Sequence, residues 1–221
     1  MTGSERVTGL LFLVAASAPP LIYPAAQAGV ASMADLALWL LLPSGALFLL
    51  LVVLAGFRGM HALMNRVAAG AMAGVLATVG LEVVREISFH LGGMPGNLPE
   101  LLGVLLTGRI MEGPDLLSNL AGWGYHFWNG LCFGVIYTVL LGHRRLFWGV
   151  VYGVAIGVIF LASPAVSAMG IGFMGRDMPA MPVTVAVAHL VFGTILGGLS
   201  RRWVWKNQEF LLACPRTGGK G

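Results

Sequence analysis

Charge is scarce in this chain: Asp, Glu, Lys and Arg together make up 10% of its 221 residues, against about 25% in an ordinary soluble domain. That shortage excludes a soluble globular domain of any size. Cysteine is nearly absent too. Cys132 and Cys214 are the only two, which excludes a disulfide framework and a Cys-x-x-Cys redox or metal site. There is no nucleotide-binding Gly-rich loop, no His-Glu-x-x-His pair and no Ser-His-Asp order, so the common hydrolase and nucleotide signatures are missing. An enzyme is the less expected reading, though it stays open.

What is present is apolar residue after apolar residue: 57% of the chain, with a mean hydropathy of +0.86. Six runs, at about 7–28, 35–57, 66–91, 116–141, 146–168 and 182–204, exceed the roughly 18 residues that cross a bilayer as a helix. A helix satisfies its own backbone in lipid, so the expected fold is an all-α integral membrane protein with six transmembrane helices. Basic residues give the orientation. Arg6, Arg58, Arg66, Arg144, Arg145, Arg201, Arg202, Lys206, Arg216 and Lys220 fall on one side, and Arg109 and Arg176 on the other. Positive charge marks the cytoplasmic face, which places both termini inside. The net charge of +4 therefore reports membrane orientation and not nucleic-acid binding.

At the N-terminus, Arg6 followed by an apolar run and Ala26-Gln27-Ala28 could also be a cleaved leader. The uncharged stretch from Val7 to Met33 is long enough to span, so a retained helix kinked at Pro19-Pro20 is the expectation.

Glycines divide the chain. Gly70 and Gly74, Gly130 and Gly134, Gly149, Gly153 and Gly157, and Gly193 and Gly197 form small-xxx-small faces that let membrane helices approach closely. Spans three to six are expected to form a glycine-laddered four-helix core over 61–205, with two peripheral helices over 1–60 and a cytoplasmic tail over 206–221. His126 and His189 each open a His-x-x-x-Gly-x-x-x-Gly pattern, in spans that run in the same direction, and this suggests a tandem hairpin repeat. Residues 97–112, with Asn97 as a helix cap and Pro99 and Glu100 in the first turn, are expected to lie flat on the outer surface.

Polar residues inside the spans single out the candidate site, because buried charge is costly and is paired or functional. Glu82, Glu86 and His90 recur every four residues beside Arg85, on one helix face. Glu82 and Arg85 can pair with each other, which leaves Glu86 in need of a proton, a metal or a histidine. Counting inward, His126 and His189 fall about 10–15 Å below the outer end, level with Glu86 and His90. Asn129 lies one turn from His126. These four residues are the candidate metal ligands, with Glu82, Arg85 and Asn129 as pairing or supporting groups. Met174, Met178 and Met181 in the outer loop are candidate soft ligands, and copper is the first metal to consider. Four occupants stay open: plain interhelical hydrogen bonding, a transition metal, protons, or a haem between His126 and His189.

The segments "YHFWNGLCFGVIYTVL", "HRRLFWGVVYGVAIG" and "AHLVFGTILGGLSRR", with Ser163-Pro164 and "GAMAGVLATVGLEVVREISFHLGGMP", resemble the YagU-like bacterial inner-membrane proteins over about residues 66–204. The resemblance implies an inner-membrane location and proton-related physiology, and no catalytic residue. Val185 and Ala186 stand where that family carries an acidic residue ahead of its last histidine.

Three functions are consistent with these features. The first is an outward-side intramembrane His/Glu cluster that binds a metal ion or protons. The second is an accessory subunit of a larger, respiratory-type membrane complex. The third is a haem-binding electron carrier. The partners expected are the lipid bilayer and either further copies of the chain or a larger complex.

Overall fold

The computed structural model describes residues 3–206; Cys214, Arg216, Lys220 and nearly all of the expected cytoplasmic tail lie outside the described residues. Those residues are helical with short turns. Helix α1 is Gly3–Gln27. Helix α2 (Met33–Leu36) continues through a π-helical turn, Ala37–Leu41, into α3 (Leu42–Phe57). There follow α4 (His61–His90), α5 (Leu98–Leu106), α6 (Leu116–Leu140), α7 (Leu146–Ala162), α8 (Pro164–Ala168) and α9 (Ala180–Trp203).

Four helices are long and apolar enough to cross a membrane: Gly3–Gln27, Met33–Phe57, His61–His90 and Ala180–Trp203. Two of the six expected runs fall short of that standard for physical reasons. Helix α6 has 25 residues, but Asn119, His126 and Asn129 interrupt its first half. Helix α7 has 17 residues because the fifth run, expected to continue to 168, breaks at Ser163. Pro164 has no amide hydrogen to offer and forces the residue before it out of helical geometry. Ser163 is accordingly extended, at φ −75° and ψ 157°, and α8 begins afresh.

Helix α4 is central. It packs on α6 along one side and on α9 along the other, with α7 outside α9 and α1 outside α6. The two hairpins, α4/α6 and α7/α9, each close through glycines. A Cβ on Gly74 would overlap the Gly130 carbonyl, and one on Gly134 would overlap that of Gly70. In the second hairpin Gly149 lies against Gly193 and Gly197, and Gly153 against Gly193 and the His189 carbonyl. Without side chains in the way, the backbones come into contact and gain dispersion energy over the whole seam. Helices α1 and α3 join the bundle through aromatic edges. Phe12 meets Phe48 at 5.2 Å and Phe48 meets Trp128 at 5.5 Å, both edge-to-face.

The basic end is tied by hydrogen bonds. Arg66 is buried and donates from Nη1 to the Val139 carbonyl at 3.3 Å, while Thr138 Oγ1 donates to the Arg66 carbonyl at 2.8 Å. Asn65 accepts from the Trp205 amide and donates to the Trp203 carbonyl. The opposite end carries α5. The segment expected to lie flat over 97–112 is a helix only from Leu98 to Leu106, and it is packed against α6. A Cβ on Gly103 would overlap the Ser118 carbonyl, and one on Gly122 would overlap that of Pro99. Asn97 does cap the helix, accepting from the Glu100 amide at 3.4 Å.

Candidate functional site

Beneath α5 lies a cavity of about 620 Å³. Its walls come from α1, α4, α5, α6, α7, α8 and α9. Most of the lining is apolar: Pro20 and Pro24 from α1, Leu98, Leu101, Leu102 and Leu105 from α5, and Ile156, Ile159 and Phe160 from α7. Gln27, Asn97 and Ser163 add polar groups near the α5 end, and deeper α4 supplies Arg85, α6 supplies Tyr125, His126 and Asn129, and α9 supplies His189.

Three polar groups at this level centre on one carboxylate. Glu82 is buried, and its Oε1 accepts from Arg85 Nη1 at 2.5 Å. His126 Nε2 lies 2.7 Å from the same oxygen, at ion-pair distance but off hydrogen-bond geometry. Glu82 Oε2 is buried with no hydrogen-bond partner among the described residues. Each contact follows from local geometry. Glu82 and Arg85 are three residues apart on one helix and therefore meet on its surface. His126 reaches them from α6 because it sits one turn before Gly130, where the glycine seam draws α6 against α4. All three lie about 8–15 Å along their helices from the α5 end, at 1.5 Å per residue.

The other imidazole has different surroundings. His189 Nδ1 is 2.9 Å from the Val185 carbonyl on its own helix, and its ring stacks on Phe160 with centroids 6.5 Å apart. Gly157 leaves the space its ring occupies. His126 faces a carboxylate, whereas His189 faces a glycine and a phenyl ring.

Glu86 and His90 stand apart from this cluster. Glu86 is 38% exposed at its side chain, accepts from Asn97 Nδ2 at 3.3 Å and lies 3.8 Å from His90 Nε2. His90 is 77% exposed. Neither lines the cavity. Their face of α4 is the expected one, but one further turn of helix carries them up to the cap of α5. Among the described residues no three of His, Cys, Asp and Glu converge in a way that could hold a metal ion. Met174 and Met178 are half-buried in an apolar cluster with Leu161, Val166 and the fully buried Met181, so these thioethers fill space under the loop. Met181 also reaches the cavity, as do Met94 and Met169.

Two contacts at this site had no sequence signal strong enough to use. Tyr125 OH donates to the Pro19 carbonyl at 2.7 Å, clipping α1 to α6 at the cavity wall. Ser88 and Thr184 bring their hydroxyls to 2.5 Å across α4 and α9. In the turn after α5, Arg109 pairs with Glu112 at 2.6 Å and with Asp115 at 3.3 Å. Hydrogen bonding from the Ser118 amide holds the Asp115 carboxyl below its ordinary pKa, with Arg109 adding to the effect.

A carboxylate shared between an imidazole and a guanidinium can hold, give up or exchange one proton, and the spare donors of Arg85 can receive an oxygen ligand. The chain matches no protein-family model, no curated protein and no solved structure.

Proposed function

We propose that this chain is a polytopic bacterial inner-membrane protein with six crossings and cytoplasmic termini, and that it handles a proton at the Glu82–His126 pair, whose imidazole lines the floor of a cavity in the extracytoplasmic half while the carboxylate lies behind it. The likeness to the YagU-like proteins belongs to the same reading. One observation carries it: Glu82 presents one oxygen to both Arg85 and His126, while its second oxygen is buried without a partner among the described residues.

An ionised carboxylate in an apolar surrounding is costly unless a cation answers it. Arg85 supplies that cation. His126 then becomes the group that can take up or release charge without leaving Glu82 uncompensated. The donor set favours a proton over copper or another metal ion. Two protein donors are in place, one of them already engaged by Arg85, and the soft methionines are packed in an apolar cluster. Protonation would change the charge that the cavity presents to its contents, which links the pair to whatever occupies the cavity.

The test is infrared difference spectroscopy of the purified protein in lipid nanodiscs, taken between acidic and neutral pH. The wild type is expected to show a pH-dependent shift of the Glu82 carboxylate band that disappears in Glu82→Gln and is lost in His126→Gln. A spectrum that Glu82→Gln leaves unchanged overturns the proposal.

A further inference from the structure

We infer that the cavity takes a single-chain amphiphile with a carboxyl head, and that this ligand reaches it sideways, between α1 and α7. The inference rests on the reading of the cavity as the working site and deepens it by naming the class of molecule.

The lining is mostly leucine, proline, isoleucine and phenylalanine, with Gln27, Asn97 and Ser163 near the α5 end and the one charged side chain among the described lining residues, Arg85, deeper beside His126 and Asn129. A volume of about 620 Å³ lies within the usual range for small-molecule sites. A ligand that fills such a space buries a chain against the walls and a polar head against the floor.

The floor specifies the head. Arg85 carries five N–H donors, and the described hydrogen bond to Glu82 uses one of its nitrogens. Asn129 Oδ1 is buried with no hydrogen-bond partner among the described residues, so an acceptor stands beside the donors. A carboxyl group answers both: its carbonyl oxygen accepts from Arg85 and its hydroxyl donates to Asn129. Ionised, it keeps the bond from Arg85 but has no proton for Asn129 Oδ1, so the floor suits the protonated head best. An ammonium head brings no acceptor for Arg85 and meets the guanidinium charge.

The walls specify the route. Helix α7 packs on α9, and α1 packs on α6 and α3, while the short α8 bridges α1 and α7 at the outer end. Ile159 lines the cavity and is nonetheless 68% exposed. The cavity therefore reaches the apolar flank of the bundle at α7. Overhead the route is closed, because α5 is locked to α6 at Gly103 and Gly122.

The experiment titrates the full-length protein in detergent with a fluorescent long-chain fatty acid, and repeats the titration with the amine of the same chain. One saturable site per chain is expected for the acid, and binding of the amine weaker by about tenfold or more, the loss of one charge-assisted hydrogen bond. Ile159→Trp, on an exposed position that leaves the packing intact, is expected to weaken or slow acid binding while the infrared carboxyl signal of Glu82 persists. Asn129→Leu is expected to weaken the acid without that signal disappearing. Equal binding of acid and amine overturns the proposal, and so does acid binding that neither variant changes. A Glu82 signal without acid binding removes this inference and leaves the proton reading; acid binding without that signal does the reverse.

Discussion

His126 Nε2 and Glu82 Oε1 lie 2.7 Å apart across the α4–α6 seam, and Arg85 holds the same oxygen from one turn away. The cluster is a structural element as well as a chemical one, since each group's burial depends on the others. Removing one member of a buried ion pair leaves the other uncompensated, at a cost of about 3–5 kcal/mol. Glu82→Ala should therefore lower the thermal midpoint in detergent sharply. Glu82→Gln combined with Arg85→Gln should recover part of that loss. Thermal unfolding of the single and double variants checks both expectations, and simple additivity would contradict them.

The glycine seams predict a steep dependence on position. Gly74→Val and Gly153→Val each drive a side chain into a facing backbone that cannot step aside, at a cost above the roughly 1–3 kcal/mol of ordinary overpacking. Both should lose the monodisperse peak in size-exclusion chromatography. Gly124 on α6 is exposed, and a methyl group added there would meet nothing within 4 Å. Gly124→Ala should be tolerated and gain up to about 1 kcal/mol from the stiffer helix.

Asp115 gives a pH dependence whose sign can be worked out. Its side chain accepts from the Ser118 amide at 2.7 Å as the cap of α6, and that bond lowers its folded pKa. A group lowered on folding stabilises in full above its unfolded value, near 3.9. The contribution is lost as the pH falls through the lower folded value. Amide exchange at the start of α6 should accelerate over that acid range in the wild type. In Asp115→Asn the cap remains without the charge, and the step should flatten.

Labelling separates buried from accessible positions and checks topology. Cys132 is fully buried, so a Cys214→Ser protein should not react with a thiol reagent while folded. Met111 is 96% exposed at the α5 end and Arg58 lies at the opposite end. In that background Met111→Cys should label from outside intact cells and Arg58→Cys only after permeabilisation. The reverse pattern would invert the proposed orientation.

The Glu82–Arg85 pair could be read from spacing alone, because three residues on a helix settle which side chains meet. That His126 completes the pair could not, since it depends on how far α6 is rotated about its axis, and contacts far apart in sequence set that rotation. Glu86 shows the opposite difficulty. Four-residue spacing put it on the same face as Glu82, but depth within the bundle separates the two, and depth depends on α5 and its Asn97 cap. Helix α5 itself was legible as an amphipathic segment with a cap. Its close fit on α6 needed Gly103 and Gly122 to be recognised as partners across an intervening turn. Ser163-Pro164 was visible as a feature of the fifth run, yet its effect in ending α7 belongs to the local backbone and shortens a helix that hydropathy alone would extend.

The contact between Gly103 and Gly122 also bears on timing. A free surface segment fluctuates within nanoseconds, but one fused to a long helix relaxes only when that helix does, through collective shifts lasting microseconds to milliseconds. With so slow a roof over the cavity, exchange at the proposed site is left to the flank between α1 and α7 and is not tied to the motion of α5.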